Sequence, residues 1–83
     1  MWIRTQDKKE LVNVIKVYIS NLQIGKNSKV NILGDLATNR LFSSNTIFLG
    51  KYPTMTEALH ELDEIEKSII NNPNGVYHMT DSK

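Results

Sequence analysis

The sequence predicts a small α+β domain: a mostly antiparallel sheet of four to five strands, covered on one face by a single amphipathic helix at about residues 55–71. Three observations predict it. Residues 53–72 repeat apolar side chains at Met55, Ala58, Leu59, Leu62, Ile65 and Ile69, the spacing of one helical face. The 50 or so residues before them read instead as short runs of strand formers separated by turn signals. Strands in succession, then one helix, describe a sheet with a helical cover rather than alternating βαβ units.

The first strand is short, with Trp2 and Arg4 on one side and Ile3 and Thr5 on the other. Asp7, Lys8 and Lys9 form a plausible turn, so residues 2–20 read as a hairpin. Residues 10–20 carry the strongest β signal. Leu11, Ile15, Val17 and Ile19 share one parity, interrupted by Asn13, and Val12 and Val14 share the other, followed by Lys16, Tyr18 and Ser20. The first half is thus apolar on both sides, as expected of a central strand touched on its second face by a loop or another chain. Homo-oligomerisation is expected on that ground.

Residues 21–28 read as a loop with Gly25, Lys26 and Asn27 at its tip, and residues 29–36 as a third strand that Gly34 and Asp35 break or bulge. Thr38, Asn39 and Arg40 suit a turn, and residues 41–49 read as one bent strand or two short ones. In the helix, Thr54 and Glu57 have capping-box spacing: the hydroxyl accepts from a free first-turn amide and the carboxylate reaches back. Pro73 disfavours a helical Asn72, and residues 72–75 have turn chemistry. That leaves a helix roughly 25 Å long. Residues 76–79 suit a short edge strand or ordered tail, so the domain spans residues 1–79 and residues 80–83 are expected to fray.

Composition excludes several chemistries. With no cysteine there is neither a disulfide nor a thiolate metal site. No apolar run approaches the ~20 residues of a membrane span, and the first residues lack the apolar core of a signal peptide. A cytoplasmic protein that meets no membrane is expected. The net charge of +1 hides an asymmetry. Residues 1–53 hold eight Lys or Arg against three acids, and residues 54–83 hold two against six. A nucleic acid is therefore not the expected partner, since it would have to use the sheet alone.

Candidate motifs are incomplete. Gly25, Lys26 and Ser28 echo a phosphate-binding loop, but the upstream glycine is missing, and so is a hydroxyl residue directly after the lysine. His60 and Glu61 begin a zinc-protease motif whose second histidine is replaced by Glu64. Glu57 and His60 are a Glu-x-x-His pair, but carboxylate-bridged metal sites use two copies. The helical carboxylates are read as lying on a wet outer face, where nothing tunes them for acid–base work. No catalytic residue, cofactor or metal is expected, and the chain is read as a non-enzymatic binding protein.

Trp2, Arg4, Lys16 and Tyr18 can share one sheet face, pairing aromatic planes for a base with cations for a phosphate. With Lys51 they are the candidate ligand site. The outer helix residues Glu57, Glu61 and Glu64 are the candidate protein-interaction surface.

The opening residues 1–14, residues 48–52 (Phe48 to Tyr52) and residues 56–65 (Thr56 to Ile65) resemble a group of small uncharacterised proteins of Firmicutes and their phages and mobile elements. The resemblance covers most of residues 1–71, with the middle, roughly 20–46, matching poorly. It implies a context, not a catalytic site: a phage or mobile-element accessory factor that counteracts host defence. Two readings follow. One is sequestration of a small ligand such as a signalling nucleotide. The other is inhibition of a host or defence protein through the acidic helix surface. A structural or regulatory module is a third.

Overall fold

The structure, a computed structural model, describes residues 1–20, 29–36 and 45–81. The elements run β1 (Trp2–Arg4), β2 (Leu11–Ser20), β3 (Val30–Leu36), β4 (Thr46–Tyr52), α1 (Met55–Asn71) and β5 (Val76–His78). They form one five-stranded sheet in the order β4-β3-β2-β1-β5, antiparallel except for the β1–β5 pair, with the single helix packed against it. The predicted α+β fold and the helix bounds are those observed. The expected loop at residues 21–28, the turn at 38–40 and the start of the 41–49 stretch lie outside the described residues.

The β1–β2 turn forms because Asp7 gathers donors. Its Oδ1 accepts from Thr5 Oγ1 at 2.7 Å and from the Lys9 amide at 2.9 Å, and these bonds hold its pKa below the ordinary carboxylate value. Lys8 adopts a left-handed backbone at φ 68°, and Arg4 Nε clamps the turn by donating to the Lys8 carbonyl at 2.9 Å.

Two irregularities shape the sheet. Val14 pairs with Leu36 and Lys16 with Asp35, so Ile15 is an extra residue in β2. Ile32 pairs with Gly50 and Leu33 with Phe48, so Leu49 is extra in β4. The first bulge corrects the expected grouping of β2 side chains. Val12 and Val14 pack on the core before it, and Val17 and Ile19 pack there after it. Leu11 and Ile15 are exposed, Ile15 by 74%. The apolar pattern on both sides is therefore a phase shift along one inner face, and it requires no second covering layer. The bulges also fall elsewhere than expected, since Gly34 stays in register within β3.

Under the helix the core comprises Ile3, Val14, Val30, Ile32, Leu49, Tyr52, Ala58, Ile65 and Met79. Burying a side chain the size of Ile65 contributes on the order of 1.5–3 kcal/mol. Thr54 is the N-cap and accepts from the Glu57 amide at 3.2 Å, as its spacing predicts. The buried stripe differs from the predicted one, however. It is Ala58, Glu61 and Ile65, while Leu59 and Ile69 are about half exposed.

Gln6 ties the two outer ends of the strand order together. Its amide donates to the Leu49 carbonyl at 2.8 Å, and its side-chain Oε1 accepts from the Lys51 amide at 3.0 Å. Its Nε2 donates to the carbonyls of Lys51 and Thr80 at 3.2 and 3.1 Å. Gly50 permits this approach, because a Cβ there would lie 3.2 Å from Gln6 Cβ. No helix among the described residues is long and apolar enough to cross a membrane.

Candidate functional site

Register places a set of side chains on the sheet face opposite α1. Tyr18 pairs with Leu33 and Leu33 with Phe48, so these three form one row across β2, β3 and β4. The row on one side is Lys16, Asp35 and Thr46, and the row on the other is Ser20, Asn31 and Lys51. Phe48 and Lys51 share this face only because the Leu49 bulge shifts the alternation between them.

The Tyr18 hydroxyl donates to Asp35 Oδ1 at 3.3 Å and lies 3.4 Å from Thr46 Oγ1 on β4. To reach β4 from β2 the side chain must lie across β3, so its ring rests along the sheet rather than standing up from it. Thr46 Oγ1 also donates to Asp35 Oδ1 at 3.1 Å, which commits that carboxylate oxygen to neighbours within the sheet. The Lys16 ammonium sits 5.0 Å from the Tyr18 ring centroid. Phe48 is 43% exposed.

Of the five residues predicted for a ligand site, the structure brings Lys16, Tyr18 and Lys51 onto this half of the face. Trp2 and Arg4 lie beyond the Ile15 bulge, on the half formed by β5, β1 and the start of β2. They share the outer face because of that bulge, since Trp2 pairs with odd-numbered Asn13 and the parity changes before Lys16. Arg4 is engaged with the Lys8 carbonyl. Sequence reasoning missed Phe48 and Leu33. Their signal was available as a strand of unclear phase, but parity alone could not pair Phe48 with Tyr18.

The helix side departs from expectation. Glu61, expected on a wet acidic face, is 2% exposed. Its Oε2 accepts from the Tyr77 hydroxyl and the Thr80 amide, each at 2.9 Å, and its Oε1 accepts from Thr80 Oγ1 at 2.5 Å. The Thr80 carbonyl in turn accepts from the Tyr52 hydroxyl at 2.8 Å. Thr80, expected to fray, is thus held at its amide, hydroxyl and carbonyl. The reason is complementarity. β5 and the tail bring hydroxyl and amide donors onto the helix, and only an acceptor with two oxygens at position 61 satisfies them.

Glu57 and Glu64 are partly buried. Glu57 Oε2 is buried without a hydrogen-bond partner. Glu64 lies 3.7 Å from His60 and 3.6 Å from Lys67, exposed pairs that contribute little. Tyr52, Glu57, His60, Glu61 and Thr80 line an open cleft of about 470 Å³. Among the described residues no group of three or more His, Asp or Glu is placed to hold a metal ion.

Burial, and next the negative charge of Glu61, push the Tyr52 phenol well above its ordinary pKa. Burial and then the hydrogen bond to Glu61 do the same for Tyr77. Both phenols stay protonated in the folded protein after those of the unfolded chain have ionised. The stability they contribute is therefore fully present below about pH 10, the unfolded value, and is lost as pH rises from there toward the folded values. Urea midpoints measured from about pH 8 to about pH 12 should fall on the alkaline side. Tyr77→Phe should flatten that fall, and an unchanged slope would contradict the assignment.

In comparisons with known proteins the chain matches no protein-family model, and neither a curated protein nor a solved structure shows significant similarity to it. Fold and face define its class, a small α+β domain with an aromatic and cationic patch on an open sheet.

Proposed function

We propose that this is a non-enzymatic binding protein that captures a nucleotide on the outer face of its sheet. In the phage or mobile-element setting its sequence resembles, capture of a signalling nucleotide would blunt host defence. The observation that carries the reading is the row Tyr18, Leu33, Phe48 with Lys16 and Lys51 on its two sides. A ring laid along the sheet and a second, exposed ring offer stacking surfaces, which accept any base because every base has a π-face. The flanking ammonium groups supply charge for a phosphate.

The alternative of an inhibitory acidic helix surface is less well supported. Glu61 is interior and so is withdrawn from any outer acidic surface.

Titration with adenosine and guanosine monophosphates, followed by amide and ring-proton shifts, tests the proposal. Shifts should map to β2, β3 and β4. Phe48→Ala should weaken binding about 5–150-fold, as expected for loss of one stacked base. Glu64→Gln, on the helix, should leave it unchanged. Binding that survives both Phe48→Ala and Tyr18→Leu would sink the proposal.

A further inference from the structure

We infer that two copies of this chain join edge to edge through the second half of β2, antiparallel about a two-fold axis at Tyr18. The partner extends the sheet at its side and covers neither face. The seam therefore holds whether or not the outer face binds a nucleotide.

The opening for it is the difference in length between β1 and β2. β2 runs ten residues and β1 three. Their ladder covers Leu11 to Asn13, and the Val14 amide adds one more bond, to the Met1 carbonyl at 2.8 Å. From Ile15 to Ser20 nothing among the described residues pairs with β2 on that side, while Lys16 to Ser20 pair residue for residue with β3 on the other. A regular strand with one row of free amides and carbonyls is a template for another strand. The sheet's other edges offer less. Gln6 occupies the outer side of β4 at Leu49 and Lys51, and β5 is only three residues long.

The side chains say which strand fits. In an antiparallel pair, residues directly opposite share a face. Lys16 to Ser20 is centred on Tyr18, with Val17 and Ile19 packed on the core side and Lys16, Tyr18 and Ser20 on the outer face. A second copy turned about Tyr18 sets Val17 against Ile19, Lys16 against Ser20, and Tyr18 against itself. Apolar meets apolar on the inner face, and Lys16, the one charge of the segment, meets a hydroxyl instead of its own copy. Tyr18 leaves room at the axis, because its hydroxyl contacts with Asp35 and Thr46 lay the ring across β3, away from the free edge.

The inner face gains too. Beside the free edge, between β2 and α1, is a hollow of about 250 Å³ lined by Val14, Val17, Leu62, Ile65 and half-exposed Ile69. The partner's Val17 and Ile19 come to its mouth and withdraw apolar surface from water. The two-fold uses both free edges at once, so a third copy finds none left and the assembly closes at two.

Sedimentation equilibrium of the intact protein from about 5 to about 500 µM tests this. The mass should rise from 9.5 kDa and level off at twice that value. Ser20→Lys sets like charges opposite each other twice across the seam and should weaken the dimer about fivefold or more, whereas Ser20→Glu should not weaken it. Ser20 lies on the outer face, so both variants should fold, and a thermal melt checks that they do. The chain has no cysteine, which permits a test of register. The double variant Lys16→Cys with Ser20→Cys should give a covalent dimer on mild oxidation. Each introduced thiol then lies opposite one of the other copy, while the two in one chain are roughly 13 Å apart. Neither single variant should cross-link, since position 16 and its own copy are equally distant. A protein that stays at 9.5 kDa throughout would overturn the inference. So would a dimer that tolerates Ser20→Lys and yields no cross-link from the double variant, because its interface lies elsewhere.

Discussion

Glu61→Ala should lower the unfolding free energy by about 3 kcal/mol, the largest loss expected from any helix substitution here. The carboxylate is buried and accepts from the Tyr77 hydroxyl, the Thr80 amide and the Thr80 hydroxyl. Alanine leaves these donors facing a void beneath β5. For a domain of this length total stability is on the order of 4–12 kcal/mol, so the loss is a large part of it. Thr80 as a residue is solvent-exposed, and water reaching its hydroxyl keeps the loss from being larger still. Glu61→Gln preserves shape and one acceptor but turns an amide toward a donor, so about half the loss is expected. Urea unfolding of both variants measures this directly. A loss below about 1 kcal/mol for alanine would show that the network contributes little. The pair Glu61→Ala and Tyr77→Phe gives a sharper check. Removing both partners should be less damaging than the sum of the single changes, because the Tyr77 hydroxyl is then no longer left without its acceptor.

Gly34→Val is the second large effect, and its origin is packing alone. Gly34 sits in the interior row of β3, where a Cβ would lie 2.9 Å from Val14 Cγ1 and 3.1 Å from Leu49 Cδ1. Val14 is 2% exposed and Leu49 fully buried, so neither side chain has free space to retreat into. Valine at this site is expected to cost about 3 kcal/mol and alanine about 1 kcal/mol, after a small gain from improved strand propensity. The companion change Val14→Ala should recover part of the Gly34→Ala loss. Strict additivity of the two in denaturant unfolding would refute the assigned contact.

Glycine 34 also shows where sequence reasoning stops. Within β3 it reads as a break or bulge because it lacks a side chain, yet it is required by the Val14 and Leu49 side chains that close over it from β2 and β4. The helix was legible down to its cap, since a 3.6-residue period, a Thr54–Glu57 pair and a following proline all agree. The strands were legible as segments. Their facing was not, because one extra residue at Ile15 or Leu49 inverts every side chain beyond it. In β2 the shift left a trace, apolar residues on both parities, that has two physical explanations. In the candidate site, Lys16, Tyr18 and Lys51 could be nominated by type, but Phe48 could be joined to them only through the bulge. Glu61 was unreadable for another reason. A glutamate next to a histidine on a helix looks solvated until Tyr77 and Thr80, 16 and 19 residues later, supply its donors.

The parallel pairing of β1 with β5 has a kinetic side. It joins Trp2 to Val76 and Arg4 to His78, and the Gln6 side chain reaches Thr80, 74 positions along the chain. None of these contacts can form early from neighbours in sequence. The loop they close contains every other element, so its entropy must be overcome before any of them contributes. Folding should therefore be slow for so small a domain and limited by the meeting of its distant segments. Neither end supplies a nucleus that completes itself alone.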